Sequence, residues 1–150
     1  MVTVRGYRAE DEEAVATLWW NSWHSIRPGL HHPQPFAAWR TRWASDFAFK
    51  QEVVVADDEG IIVGFAAADV SARELTQIFV DPDRKGEGLG GQLLAWAQQL
   101  MPDGFGLHTL TDNLASRGFY ERHGLIAGGT RINPVNGMET VDYRWAPVAR

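Results

Sequence analysis

A mixed α/β fold is predicted: one central, mostly antiparallel sheet of about seven strands with helices on both faces. Three observations point to it. The apolar periodicity reads in the order β-α-α-β-β-β-α-β-α-β-β. Neighbouring strands are mostly joined by tight turns, as hairpins are. One strand–helix–strand unit, 75–80 to 105–110, needs a parallel pair with a right-handed crossover. The 150 residues suit one compact domain, so 1–150 is taken as a single unit.

The elements follow from local pattern. Residues 2–8 alternate apolar and polar side chains, as a half-buried strand does. Glu10 to Glu13 then place carboxylates at the positive end of a helix over about 11–24, with Val15, Leu18 and Trp19 at helical spacing. Pro28-Gly29 and His31-His32-Pro33 break the pattern. A second helix over about 34–47 carries Phe36, Trp39, Trp43 and Phe47 on one face. Glu52 to Ala56 and Ile61 to Ala68 form a hairpin around an Asp57-Asp58-Glu59-Gly60 turn. Leu75 to Val80 is a strand that stops at Asp81-Pro82. A helix to about Leu100 follows the loop Lys85–Gly91 and has Leu89, Leu93, Leu94 and Ala97 on one face. Phe105 to Leu110 is a strand, and Asn113 to His123 a helix ended by Gly124. Leu125 to Ile132 and Met138 to Trp145 flank the turn Asn133 to Gly137.

Composition narrows function. Cysteine is absent, which excludes disulfides, thiol nucleophiles and cysteine-ligated metal centres. The net charge of −5 speaks against general nucleic-acid binding and mildly favours a cationic partner such as an amine. No apolar run has the length of a membrane span, and Met1 to Arg5 lack the apolar stretch of a secretory leader. A soluble cytoplasmic protein without membrane or nucleic-acid partners is expected. Five of the seven tryptophans (Trp19, Trp20, Trp23, Trp39 and Trp43) fall in the first third.

The loop Lys85-Gly86-Glu87-Gly88-Leu89-Gly90-Gly91 lies between a strand and a helix. Glycines free the backbone to converge its N–H groups, and the helix start adds its own donors and positive dipole. A phosphate or pyrophosphate site is expected. A nucleotide P-loop would need Gly-Lys-Ser/Thr, which Gly90-Gly91-Gln92 lacks. Gly86, Gly88 and Gly91 satisfy the dinucleotide pattern G-x-G-x-x-G, and Asp112 lies near the ribose-binding offset. Yet five residues, Asp81 to Lys85, separate the strand from the first glycine, where a nicotinamide-binding fold needs a tight turn.

Two motifs carry a more specific resemblance. The string I-F-V-D-P-D-R-K-G-E-G-L-G-G-Q-L-L, starting at Ile78, is similar to the acetyl-CoA signature Arg/Gln-x-x-Gly-x-Gly/Ala. Gly88 and Gly90 match its glycines, while Lys85 stands where arginine or glutamine is usual. Asn113 to Leu125 resembles N-x-x-A/S-x-x-F-Y-E-x-x-G-F/L, with Gly118 an oddity inside the helix. The chain thus resembles the GNAT superfamily of N-acetyltransferases in element order, most specifically from Leu75 to Leu125.

His24 with the adjacent His31-His32 would be the one candidate metal cluster, but adjacent loop histidines are more often solvated and no H-x-x-x-H pattern occurs, so no metal is expected. The resemblance implies a sheet splayed open after the strand that precedes the loop, with acetyl-CoA as co-substrate. It implies that backbone groups of Ile78, Phe79 and Val80 pair with the pantetheine arm, an N–H near Phe79 or Val80 polarising the thioester carbonyl. Lys85, Gly86, Glu87, Gly88, Leu89, Gly90 and Gly91 would hold the pyrophosphate through their N–H groups. Tyr120 corresponds to a tyrosine used as general acid near the sulfur, with a packed aromatic as the alternative. Asn113 would bind pantetheine or a water, or cap its helix, or both. His108, on the strand where some members carry glutamate, is favoured as base over Glu74, although some members need no dedicated base. The first two helices would cover the acceptor, making Trp20, Trp23 and His24, which lie off the core stripe, the acceptor-pocket residues. The acceptor is a primary amine of a small molecule or a protein. Homodimers are common in this family, though no feature of this sequence shows one. A non-catalytic acyl-CoA sensor is the other class that the same motifs fit.

Overall fold

The structure is a computed structural model, and it describes residues 1–148. Strands β1 (Val2–Gly6), β2 (Glu52–Asp58), β3 (Ile61–Asp69), β4 (Glu74–Val80), β5 (Phe105–Leu110), β6 (Ile126–Ile132) and β7 (Glu139–Trp145) form one sheet. Its order is β1-β2-β3-β4-β5-β7-β6. Helices α1 (Glu12–His24), α2 (Phe36–Arg42), α3 (Leu89–Leu100) and α4 (Leu114–Arg122) cover it. Five of the strand pairings are antiparallel. The parallel one, β4 with β5, is the expected crossover around α3.

This parallel pair barely forms. Its register is a single match, Glu74 with Gly106, where the Gly106 N–H donates to the Arg73 carbonyl at 2.9 Å. Beyond that point the strands part. A bulge supplies a cause: Ala68 faces Leu75 and Ala67 faces Gln77, so Thr76 is an extra residue in β4. The Thr76 hydroxyl is tied back to the Ala67 carbonyl at 3.0 Å. A bulge bends and twists its strand, which here turns the far edge of β4 away from β5.

Each face has its own core. Under α3 and α4 lie Leu75, Leu93, Leu94, Phe105, Tyr120, Val141 and Tyr143. Under α1 and α2 lie Trp19, Trp23, Trp39, Trp43, Phe47, Phe65 and Leu110. Among the described residues, no helix is long and apolar enough to cross a membrane.

The first strand ends at Gly6 rather than residue 8, and three other boundaries differ from the sequence reading for identifiable reasons. First, β2 runs on through Asp57 and Asp58, leaving the two-residue turn Glu59-Gly60, both at positive φ (52° and 96°). Such two-residue turns match strand twist, which lets the ladder continue to the turn. The Asp57 and Asp58 carboxylates serve as ion-pair partners: Arg5 holds Asp57 at 2.9 Å and Arg84 holds Asp58 at 2.8 Å. Second, the expected helix over 34–47 starts at Phe36 and widens after Arg42 into a π-helical turn, Trp43–Phe47. Its closing bond runs from the Ala48 N–H to the Trp43 carbonyl, and it stacks the Trp43 and Phe47 rings 5.6 Å apart. Third, α1 begins at Glu12, inside its acidic run, after a separate 3-10 turn, Ala9–Asp11, and Asp11 is used otherwise. Its carboxylate accepts two bonds from the Arg5 guanidinium (2.9 and 3.0 Å) and one from the Arg8 N–H (2.8 Å).

These charges set an acid response with two steps. Arg5 and then the Arg8 N–H hold the Asp11 carboxyl below its usual range, and Arg5 and then the Gly60 N–H do the same for Asp57. Their stabilisation is present above the unfolded value near 4 and lost as pH falls through the lower folded values. Burial first, then the positive potential of His24 and Arg42, pushes His32 down. It is therefore neutral when folded, with Nδ1 accepting the Gln34 N–H at 3.0 Å. An unfolded histidine takes its proton below about pH 6.5, so stability falls first from that pH downward. The urea midpoint should drop between pH 7 and 5, then again below pH 4. His32→Asn keeps an acceptor at that position and should abolish the first step alone. A midpoint flat from pH 7 to 5 in the parent protein would refute a neutral His32.

Candidate active site

The parting of β4 and β5 opens a cleft of about 480 Å³ on the α3–α4 side. Its floor is Ile78, Phe79 and Val80, on the stretch of β4 whose β5-facing edge has no strand partner. One wall is the glycine loop and the start of α3, the other is α4. The end of α1 and the residues just after it close the top with Ser22, Ser25 and Ile26. The Ser22 hydroxyl donates to the Val80 carbonyl at 3.3 Å.

The loop's shape has distinct causes. A short turn, Pro82–Arg84, is capped by Asp81, whose carboxylate accepts the Asp83 N–H at 2.9 Å. Arg84 then clamps Glu87 (2.8 Å) and Asp58 (2.8 Å), fastening the loop to the end of β2. Gly86 and Gly88 are left-handed, at φ +88° and +80°, and Gly88 leads directly into α3. Gly90 is needed for another reason: a Cβ there would lie 3.1 Å from the Phe119 ring, so α3 and α4 approach closely only without one.

Of the residues expected to hold the cofactor, all but Glu87 line the cleft. The Glu87 carboxylate is occupied by Arg84, leaving its backbone as the only part able to serve the loop. Lys85 and Arg122 line the cleft with no carboxylate within salt-bridge distance among the described residues. His123 binds the Phe119 carbonyl through Nδ1 at 2.8 Å, which leaves Nε2 beside the start of α3. Free cations, helix N–H groups and left-handed glycines are the groups that could hold a polyanion.

Tyr120 lines the same cleft although only 6% exposed. Its ring packs 5.5 Å from both Phe119 and Tyr143. Burial pushes its hydroxyl well above the ordinary phenol range, so it stays protonated. Asn113 caps α4: its Oδ1 accepts the Ser116 N–H at 3.2 Å and its amide donates to Thr109 Oγ1 at 3.3 Å.

His108 and Glu74 lie elsewhere. Neither lines the cleft; they lie on the α1–α2 side of the sheet, where β4 and β5 begin to part. The structure joins the two alternatives: His108 Nδ1 is 3.5 Å from Glu74 Oε1, each side chain 37% exposed.

Trp20, Trp23 and His24 are placed in packing. Trp23 is 9% exposed, against Trp39 and His32. His24 donates from Nδ1 to the Trp20 carbonyl (2.7 Å) and accepts the His32 N–H at Nε2 (3.3 Å). Both ring nitrogens are spent locking the α1–α2 loop, and none of the three lines the cleft. Ser22 of α1 and Ser25, which follows its last residue, do line it; these small polar residues could have been read as a cleft-facing edge. Arg122 and His123, one turn beyond Phe119, were likewise missed. No cluster of three potential metal ligands occurs among the described residues.

Residues 13–125 match the Acetyltransferase (GNAT) family. The chain is 28% identical over 130 residues to the peptidyl-lysine N-acetyltransferase YjaB of Salmonella typhimurium, covering 86% of each chain. Among solved structures it is similar to a GCN5-related N-acetyltransferase from Rhodopseudomonas palustris, with a TM-score of 0.78, 18% identity, and 97% and 95% of the two chains covered. Apo YjaB from Escherichia coli gives 0.75, 22%, and 96% and 97%. The PaiA N-acetyltransferase from Thermoplasma acidophilum, solved with coenzyme A, gives 0.73, 17%, and 95% and 98%.

Proposed function

The chain belongs to the acetyltransferase (GNAT) family, and on that premise we propose that it transfers the acetyl group of acetyl-CoA to a lysine side chain of a protein or peptide. That it is an N-acetyltransferase acting on an amine follows from the family. The lysine is supported by the relative that is 28% identical along most of both chains and is named for peptidyl-lysine.

The observation that carries the reading is the open β4–β5 pair above a cation-lined, glycine-walled cleft. These residues fit acetyl-CoA. The unpartnered edge of β4 over Ile78–Val80 offers amide partners to an extended arm. The N–H groups of the loop and α3, with Lys85 and Arg122, suit phosphates. When bound, acetyl-CoA supplies the activated acetyl thioester. Tyr120, protonated and facing the cleft, holds a proton for a leaving thiolate. His108 takes the proton of the incoming ammonium at Nε2, while Glu74 at Nδ1 orients the ring.

Mass spectrometry of a capped lysine peptide incubated with acetyl-CoA should show acetyl-lysine accumulating. His108→Gln should lower kcat about 10²-fold. Glu74→Gln should lower it less, since it removes only the orienting partner. Neither should alter the acetyl-CoA dissociation constant, because neither lines the cleft. Acetylation of small amines with lysine peptides left untouched would overturn the lysine acceptor. Unchanged kcat in His108→Gln would remove it as base.

A further inference from the structure

On the sheet face that carries His108, α1 packs over β3 and β4. The same face of β5 and β7 is covered at Leu110 and Thr140 and is open from His108 toward Gly106, Arg144 and Ile126. Strand register places its side chains: His108 faces Asp142, Gly106 faces Arg144, and Arg144 faces Ile126. Because side chains alternate, these five positions share that face. Arg144 and Ile126 are exposed there, and Asp142 is half-buried.

At the lower end of this face is a second cavity, of about 370 Å³. Its polar wall is Arg73, Glu74, Asp142, Arg131 and Arg144, and Gly106 belongs to its lining, where the absence of a side chain keeps it open. The carboxylates are engaged: Asp142 with Arg131 at 3.0 Å, Glu74 toward His108 at 3.5 Å. Arg73 and Arg144 have no carboxylate within salt-bridge distance among the described residues. Arg73 is moreover held left-handed, at φ +53°, with its carbonyl bonded to the Gly106 N–H. A left-handed non-glycine residue is costly and is kept where surrounding structure fixes it. Two unpaired guanidiniums in a chain of net charge −5 form a local site for an anion.

We propose that this cavity reads an acidic residue beside the acceptor lysine, its carboxylate docking between Arg73 and Arg144 while the lysine amine reaches His108. The proposal rests on the lysine-acetylation reading. Gly106 and His108 are two residues apart on one strand, about 7 Å. That span suits the side-chain ends of neighbouring residues in an extended peptide. The openness of the face suits a polypeptide laid along β5.

The test uses two capped peptides that differ only in the residues flanking one lysine, glutamate in one and glutamine in the other. Binding is followed by amide NMR without acetyl-CoA. The glutamate peptide should shift the Gly106, His108 and Arg144 amides and bind about tenfold more tightly. The double substitution Arg73→Gln with Arg144→Gln should erase that preference and leave acetyl-CoA binding unchanged. Gly106→Val, which fills the cavity without altering charge, should weaken the glutamate peptide alone. Equal binding of both peptides, no shift with either, or a preference that survives the arginine substitutions would overturn the proposal. A separate acetyl-CoA titration should shift Gly88 and Asn113. Its failure would overturn the acetyl-transfer reading and leave the peptide comparison standing on its own.

Discussion

Tyr120→Phe should lower kcat about 10²-fold and leave both the acetyl-CoA dissociation constant and the melting temperature nearly unchanged. The ring does the packing, between Phe119 and Tyr143 in the α3–α4 core, and phenylalanine keeps it. The hydroxyl has no hydrogen-bond partner among the described residues, so its loss orphans no protein group. Its raised pKa keeps the proton in place at any working pH. What the substitution removes is a proton donor at the wall of the cleft. Tyr143 is the control. It is buried too, but its hydroxyl donates to Glu121 at 2.6 Å and accepts from Arg117 Nε at 3.1 Å. Tyr143→Phe should therefore cost about 1–2 kcal/mol of stability with little direct effect on chemistry. Steady-state kinetics with calorimetric binding and thermal melts separates the two cases. Unchanged kcat in Tyr120→Phe would take that residue out of the reaction.

What could be read in the sequence was whatever depends on local pattern. The crossover at 75–110, the glycine loop and the cap at Asn113 each rest on residues near one another in the chain, and the structure places all three as expected. What could not be read depends on residues far apart. The contact of His108 with Glu74 needs the two strands paired at Glu74–Gly106, and no spacing encodes that. Thr76 reads as an ordinary strand residue until its partner strand shows it to be the extra one. The tryptophans misled for a related reason. Helical spacing placed Trp20, Trp23 and His24 off the core stripe of α1, but it could not show that the loop bearing His32 folds back onto them. A second layer of packing thus converts an apparent pocket wall into a core. Asp57 and Asp58 likewise read as turn residues until Arg5 and Arg84 come alongside.

The same distinction between local conformation and distant contact separates two glycines that the motif treats alike. At Gly88 a Cβ would meet nothing within 4 Å, yet φ is +80°. Valine there would face no clash but a left-handed backbone, which costs a β-branched residue about 1–2 kcal/mol or more. The chain would relieve it by turning residue 88 to negative φ, swinging the N–H groups that lead into α3 away from the cleft. If those N–H groups donate to phosphate, acetyl-CoA affinity should fall at least about 10²-fold while the fold persists. Gly88→Asn, which tolerates the left-handed region, should retain most of the affinity. Gly90→Val should behave otherwise. Its Cβ would press on the Phe119 ring at 3.1–3.2 Å, so it should destabilise the α3–α4 packing by about 1–3 kcal/mol before any effect on binding. Calorimetric titration with acetyl-CoA, paired with urea unfolding, reads both. If Gly88→Val binds as tightly as the parent, the left-handed turn is not what presents the phosphate donors. The cations Lys85 and Arg122 would then have to hold the cofactor by charge alone, with an affinity that collapses as salt rises.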